Sequence, residues 1–582
     1  MIKQITIINL LLCGSLSLFA DVLPAERAAL LQLFNATNGK EWKMNHNWAT
    51  NEPVFSWYGI TISGDGQHVT AIDLSKNRLV GLLPNINLPE LKLLYLGENQ
   101  LSGSIPNFEL PELTELQLHN NELSGAVPDF SGMSELLTLS LRDNQLSGNI
   151  PNFAALPQLQ KLYLSKNNFS GTLPDFATLQ QLQELYINKT QISGSIPDFN
   201  LPQLKKLELC KNSLSGTVTD FSHLPSLTFL DLRSNYFDGQ LTDFHYLPQL
   251  RVLRMTNNDL TSLPDFSSLP NLQTLSVGYN KLTEVPNFSH LPNLQALTLN
   301  NNLLKGNLPV FTQLFALEAL SLSFNQLSGT IPNFDNYPHL KILQLDYNEL
   351  EGEIPNFQYL SGLTKLYLNN NHLSGIVPSF KGFDMVEMDL SYNQLTFAGI
   401  EKNCSLTASF WYDQQEQIPL QYTDGKLWVQ AGGDLKNNTY QWYLNEQLVA
   451  SVVGDNSYLP TAEGVYRCEV TNKIAQKLCL VSHNKTVAAT TLNNYALMES
   501  VKVYPNFTNT IVNIDYTLAN EGNVKIMLLD LSGQPLLTQQ YGNETRGTHT
   551  QTFDLSQLPT AYYLIVVDNG QAKYTEKVLK VE

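Results

Sequence analysis

The sequence predicts a solenoid: short coils stacked edge to edge, each adding one strand to a parallel β-sheet, with two small β-sandwich domains behind it. Three observations predict this. An LxLxxN phrase returns fifteen times between Asn77 and Asn393, every step 22 or 23 residues, with Thr190 standing once in place of Asn. A comb of phenylalanines from Phe108 to Phe380 keeps the same step. Beyond the repeats, apolar and polar residues alternate in short runs such as Val512, Ile514, Tyr516 and Leu518, the period of half-buried strands.

The first twenty residues read as an address. Lys3 precedes an apolar run from Ile5 to Phe19, and Ala20 offers a cleavage point before Asp21. The run is too short for a membrane span, so residues 1–20 are predicted to be a signal peptide. Residues 21–68 are predicted to cover the first coil, since an exposed end of the stack needs a lid. Leu30, Leu31 and Phe34 sit at helical spacing, and Trp42, Trp48 and Trp57 follow.

One coil, residues 88–108, shows why the repeat folds. Leu94 and Leu96 alternate with Leu93 and Tyr95, so a short strand turns one face inward. Asn99 ends it at a bend whose backbone groups cannot all pair within the sheet. An orphaned group costs about 1–3 kcal/mol, and an amide that both donates and accepts can satisfy successive bends. Ser102-Gly103 permits a turn, Pro106 fixes the return path, and Phe108 re-enters the core. Thr190, with a shorter hydroxyl, is expected to leave one bend less well satisfied. The coils at Asn258 and Asn280 lack Ser-Gly and are one residue shorter, so the stack is expected to change there.

The NxLSGxIP phrase over residues 69–395 resembles the leucine-rich repeat proteins, in the form found in plant receptor ectodomains and secreted bacterial relatives. The resemblance implies a parallel sheet on the concave side and short extended or 3₁₀ segments on the convex side. The segments "LLQLFNATNGKEWKMNHNW" and "SWYGITIS" resemble the caps of these proteins, without the cysteine pair many of them hold near the last tryptophan.

Residues 396–495 resemble an immunoglobulin-like domain. "TYQWYLNEQLVA" supplies the core Trp442, and Tyr466 stands two residues before Cys468, a tyrosine-corner pattern. With a turn centred on Asn472 to Ala475, Cys468 and Cys479 would face each other, as a cross-strand disulfide or as two buried thiols; Cys404 could pair elsewhere. Residues 496–582 resemble the C-terminal sorting domain read by the type IX secretion system of Bacteroidetes, in "VKVYPN", "LLDLSGQPLL", "LPTAYYLIVV" and the terminal "KVLKV". Phe507 and Ala561 replace the Pro and Gly usual there. The resemblance implies passage through the periplasm to the cell exterior, with the type IX machinery as partner. Asp568-Asn569-Gly570 is a hairpin turn signal.

Composition and motifs narrow the function. With 35 basic against 53 acidic residues the formal charge is −18, which excludes general nucleic-acid binding. No later run reaches the length of a membrane span. HExxH, GxSxG, P-loop, GxGxxG and CxxC phrases are lacking, the ten histidines show no metal-ligand spacing, and no cofactor is predicted. Asp129, Asp175, Asp198 and Asp265 recur before the Phe comb and read as turn residues. Fifteen strands would span on the order of 70 Å. On their outward face the columns place Lys161, Tyr163, Lys166, Tyr186, Lys189, Lys206 and Lys211 together, extended by Arg233 and Arg254. This basic-aromatic patch suits an acidic protein or polyanionic glycan, since aromatics and Arg are common interface anchors. A weaker patch comprises Tyr279, Phe324, Tyr347 and Tyr367. The chain therefore reads as a non-enzymatic recognition or adhesion protein for extracellular protein or glycan ligands; the alternative is a secreted hydrolase or enzyme-associated module with an unfamiliar active site.

Overall fold

The structure is a computed structural model that describes residues 21–406, 409–488, 498–570 and 572–582; the expected signal peptide lies outside them. The described chain divides into two compact units, one running to Leu395 and including Lys402–Asp413, the other made of Thr396–Glu401 and Gln414–Glu582.

In the first unit, the helix Pro24–Ala36 buries Leu30, Leu33 and Phe34. No disulfide closes this cap. It is held by an aromatic chain: Phe34 to Trp42, Trp42 to Trp48 and Trp48 to Trp57, with ring centroids 5.2, 4.9 and 4.9 Å apart. Each indole N–H finds a backbone carbonyl, of Thr37, Tyr58 and Glu52 in turn, so three large rings are buried without an orphaned donor.

Strand Ile60–Ile62 runs antiparallel to Val69–Asp73. Every later strand of the long sheet is parallel to its neighbour and displaced by one repeat, for example Tyr163 beside Tyr186 and Tyr186 beside Glu208. The middle residue of each strand is buried, as the two-residue period requires: Leu94, Leu116, Leu139 and Leu162 are all fully buried. The sheet runs on past residue 395. Ser409–Trp411 pairs in parallel with Glu387–Asp389, and Phe410 is buried there.

The amides work as the sequence expects. Asn121 donates to Leu96 O and Leu118 O at 3.0 Å each, and accepts from Leu101 N at 2.9 Å. The coils before and after repeat this geometry. The residue preceding each ladder position is left-handed in all fifteen coils, with φ between 52° and 61°. That conformation costs roughly 1–2 kcal/mol outside glycine, and the bonds of the following amide offset it. Thr190 differs as expected. Its single hydroxyl proton goes forward to Asn212 Oδ1 at 2.6 Å, so residue 190 gives nothing to the carbonyls of Leu164 and Ile187, which stand where an amide donates in other coils.

The phenylalanine comb stacks inside. Phe130, Phe153, Phe176 and Phe199 form an unbroken run with centroids 6.2–6.4 Å apart. Three of the four recurrent aspartates make turns: Asp129, Asp175 and Asp265 accept the N–H two residues on, whereas Asp198 meets His223 Nδ1 at 3.3 Å instead.

A second, narrower parallel sheet follows the LSG segments, in pieces of five, four and four strands. The first piece ends at Asn168–Phe169, beside Thr190. There the next coil lacks the amide oxygen that elsewhere accepts this strand's N–H. The second piece ends at Asp259–Ser262, and strands resume at Lys305–Asn307. Where LSG is present, its glycine sits at positive φ, as Gly103 does at 76°. Ser262 and Glu284 hold that position in the two departing coils and do not take the left-handed turn.

In the second unit, residues 420–487 form two antiparallel sheets, of three and five strands. Trp442 is fully buried and lies 5.5 Å from Tyr458. The Tyr466 hydroxyl donates back to Ala462 O at 2.7 Å. The expected facing of Cys468 and Cys479 is overturned. Cys479 pairs with Thr471, and Cys468 lies opposite Trp442. The turn centres near Ala475 instead of between Asn472 and Ala475, which moves the two cysteines three positions out of register. Cys468 is buried, Cys479 is exposed, and they are not bonded.

Residues 498–580 make two further sheets, of three and five strands. Val512, Ile514, Tyr516, Val524, Ile526 and Leu528 share their core. Tyr562–Asp568 and Lys573–Lys580 pair antiparallel around the turn at Gly570, whose N–H donates to Asp568 Oδ1 at 2.8 Å.

Candidate ligand-binding surface

The long sheet leaves one face free of the core, and the coil sequences decide what stands on it. Four outward columns pass through the predicted basic-aromatic patch. The first reads Lys161, Glu184, Lys206, and the second Tyr163, Tyr186, Glu208, Asp231, Arg254. The third is Ser165, Asn188, Cys210, Arg233, and the fourth, in the left-handed position, Lys166, Lys189, Lys211.

Most of the predicted cations are already engaged. Lys206 reaches Glu184 at 3.3 Å and Lys166 reaches Asp143 at 2.6 Å. Arg233 grips the buried Asp231 at 2.6 Å, and Arg254 approaches the same carboxylate at 3.9 Å while lying over the Phe229 ring. Lys161 is the strand neighbour of Glu184. Among the described residues, Lys161, Lys189 and Lys211 have no ion-pair partner, and of these Lys189 and Lys211 border a pocket.

That pocket, of about 500 Å³, has Tyr163, Tyr186, Glu208 and Arg233 in its wall. Lys166 also lines it; Lys161, Lys206 and Arg254 lie outside. The two tyrosine rings stand 5.1 Å apart at 37°. The Tyr163 hydroxyl donates to Glu184 at 2.7 Å. Burial, then this carboxylate, raises the Tyr163 phenol; burial and the charges of Glu184 and Glu208 raise Tyr186. Both stay neutral. Burial pushes Glu184 up, but Tyr163 and Lys206 outweigh it and hold the carboxyl below its ordinary value. Glu208 goes the other way: burial raises it, against the Asn188 amide that donates to it at 2.7 Å. Cys210 lies in the same wall, its thiol pushed up to about 11 by burial. It is protonated at neutral pH and so is a poor nucleophile.

The sequence places Glu208 in the outward column of Tyr163 and Tyr186, but the predicted patch left the carboxylates out. Asp143, Glu184 and Glu208 line the pocket with the cations, and a basic field is replaced by a mixed one. Glu184 stands between Lys161 and Lys206 in one column and Glu208 follows Tyr186 in the next, so register alone signals both. A smaller pocket of about 220 Å³ adjoins it through Arg142 and Tyr163. His119 faces it with a buried Nδ1 that has no partner, and burial followed by Arg142 lowers its basicity.

The second predicted patch is only partly assembled. Phe324 and Tyr347 stack at 4.1 Å and 10°, both exposed. Tyr279 stands two coils from Phe324 in the same column, and Tyr367 bonds Glu387 in another. Among the described residues no group of metal-ligating side chains assembles, and no helix is long and apolar enough to cross a membrane.

Comparison with known proteins covers both ends of this architecture. Leucine rich repeat models match residues 134–178, 180–237, 248–304, 316–335 and 362–383. A secretion system C-terminal sorting domain model matches residues 502–581. Among solved structures, the Leptospira interrogans LRR protein LIC12759 is 33% identical, over 59% of this chain and 90% of that one, with a TM-score of 0.51. A TDR receptor is 31% identical, over 58% of this chain and 68% of that one, also with a TM-score of 0.51. No curated protein sequence matches the chain.

Proposed function

The chain belongs to the leucine-rich repeat proteins and is carried out of the cell by a type IX sorting domain, and from that premise we propose that it is a non-enzymatic recognition protein. The open face of the repeat sheet holds an extracellular protein or glycan; residues 396–495 act as an immunoglobulin-like spacer or adhesive module, and residues 496–582 direct export. One observation carries this reading: two unpaired lysines, Lys189 and Lys211, border a pocket walled by paired tyrosines on the face the fold leaves uncovered. Support comes also from the likeness to a receptor. The chemistry of the pocket suits holding more than reacting, because its thiol is protonated and its carboxylates are tied to Tyr163, Lys206 and Asn188.

The test is an array of glycans and extracellular proteins probed with the secreted chain. Lys166→Glu, Lys189→Glu and Lys211→Glu together should abolish binding to whichever ligand the array returns. Unchanged affinity would refute the patch, and turnover of an arrayed polysaccharide or peptide would refute the non-enzymatic assignment.

A further inference from the structure

The pocket beside Tyr186 combines two kinds of group that one class of ligand satisfies together. Lys189 and Lys211 stand on adjacent coils in equivalent left-handed positions, both exposed. Neighbouring strands are about 4.8 Å apart, a separation at which two ammonium groups can straddle one carboxylate. Glu208, in the same wall, binds Asn188 through one oxygen. Its other oxygen has no hydrogen-bond partner among the described residues and is an acceptor for a hydroxyl group. Tyr163 is tied through its hydroxyl to Glu184, which leaves its ring as an apolar surface.

An acidic peptide is a poor fit. A run of carboxylates would enter a wall that already holds Asp143, Glu184 and Glu208, and like charges in close contact repel. A dense sulfated or phosphorylated chain meets the same obstacle. A sugar with one carboxylate per ring and several hydroxyls presents its acid to the lysines and its hydroxyls to Glu208. The volume, about 500 Å³, falls in the range of small-ligand sites, roughly 300–1,000 Å³.

We propose that this pocket binds an acidic sugar unit of an extracellular polysaccharide, its carboxylate between Lys189 and Lys211 and a ring hydroxyl donating to Glu208. The proposal rests on the recognition reading of the open face and adds the ligand's chemical class.

The experiment is calorimetric titration of the full secreted chain with alginate tetrasaccharide, hyaluronan tetrasaccharide, sialyllactose, cellotetraose and tetraglutamate. At least one of the three acidic sugars should saturate below about 1 mM, with cellotetraose at least about tenfold weaker. Lys189→Ala with Lys211→Ala should weaken the acidic sugar by about tenfold or more, while Lys189→Arg with Lys211→Arg retains it. Glu208→Ala should weaken it as well, with an unchanged circular dichroism spectrum. Silence from all three acidic sugars, equal binding of cellotetraose, or an indifferent Lys189→Ala/Lys211→Ala variant overturns the proposal. Tetraglutamate bound in preference, with the same lysine dependence, overturns the sugar assignment and leaves the recognition surface standing. An array ligand indifferent to the triple charge reversal removes that surface itself.

Discussion

Single residues decide where this solenoid is strong. The amide ladder is a chain of donors and acceptors, and each link serves two coils. Asn121→Ala would orphan the N–H of Leu101 and take one of two amide donors from the carbonyls of Leu96 and Leu118, which keep those of Asn99 and Asn144; with one buried group orphaned, a loss of about 1–3 kcal/mol is expected in urea unfolding. The opposite change is available at the one weak link. Thr190→Asn restores a donor toward Leu164 O and Ile187 O and should raise stability by about 1 kcal/mol, read as a higher urea midpoint. In the cap, the buried Glu26 accepts from Val69 N and meets His68 Nδ1, each at 2.6 Å, while Glu90 lies 3.5 Å from the other ring nitrogen. The hydrogen bond to Glu26, with the charges of Glu26, Glu90 and Asp65, raises the imidazole above its ordinary value against the effect of burial. The folded state therefore binds this proton more tightly than the unfolded chain. Its contribution is complete below about pH 6.5 and fades as pH rises through the higher folded value. Cap unfolding followed by tryptophan fluorescence should show stability falling on the alkaline side, and His68→Ala should flatten that slope.

At the scale of elements, the repeated strand is too short to stand alone and acquires stability from its neighbours. The phenylalanine stack is one place where neighbouring coils touch directly. Phe176 is fully buried between Phe153 and Phe199. Removing its ring by Phe176→Ala should cost about 3–5 kcal/mol. Because each coil touches mainly its two neighbours, the damage should be local, and hydrogen exchange should lose protection first in the coils on either side of residue 176. Uniform loss along the whole stack would contradict the nearest-neighbour picture. In the following sheets the element that matters is a turn. Its placement near Ala475 sends Cys479 to Thr471 and leaves Cys468 facing Trp442. Burial pushes the Cys468 thiol up to about 12, so Cys468 should resist alkylation in the folded chain, whereas the exposed Cys479 should react without prior reduction. A requirement for reductant at Cys479 would show a disulfide.

For the whole molecule, export and recognition lie in different stretches of chain. Deleting residues 496–582 should leave the repeat unit folded yet retained inside the cell envelope, measured by fractionating cells and medium; unaffected secretion would remove the sorting role. The two combs, the alternation of the tail and the tyrosine corner could all be read in advance, because each is a local period repeated until chance is excluded. Even the interruptions of the second sheet were marked by Thr190 and by the missing Ser-Gly. The sequence by itself determined the solenoid, its register, the cap and the exporting tail, since a coil that cannot bury its own leucines has one way to hide them. Only the tertiary structure decided which charges on the open face cancel. Lys166 and Asp143 are separated by 23 residues and Lys206 and Glu184 by 22, yet each pair meets across neighbouring coils, and pairing of that kind leaves Lys189 and Lys211 as the free cations beside Glu208.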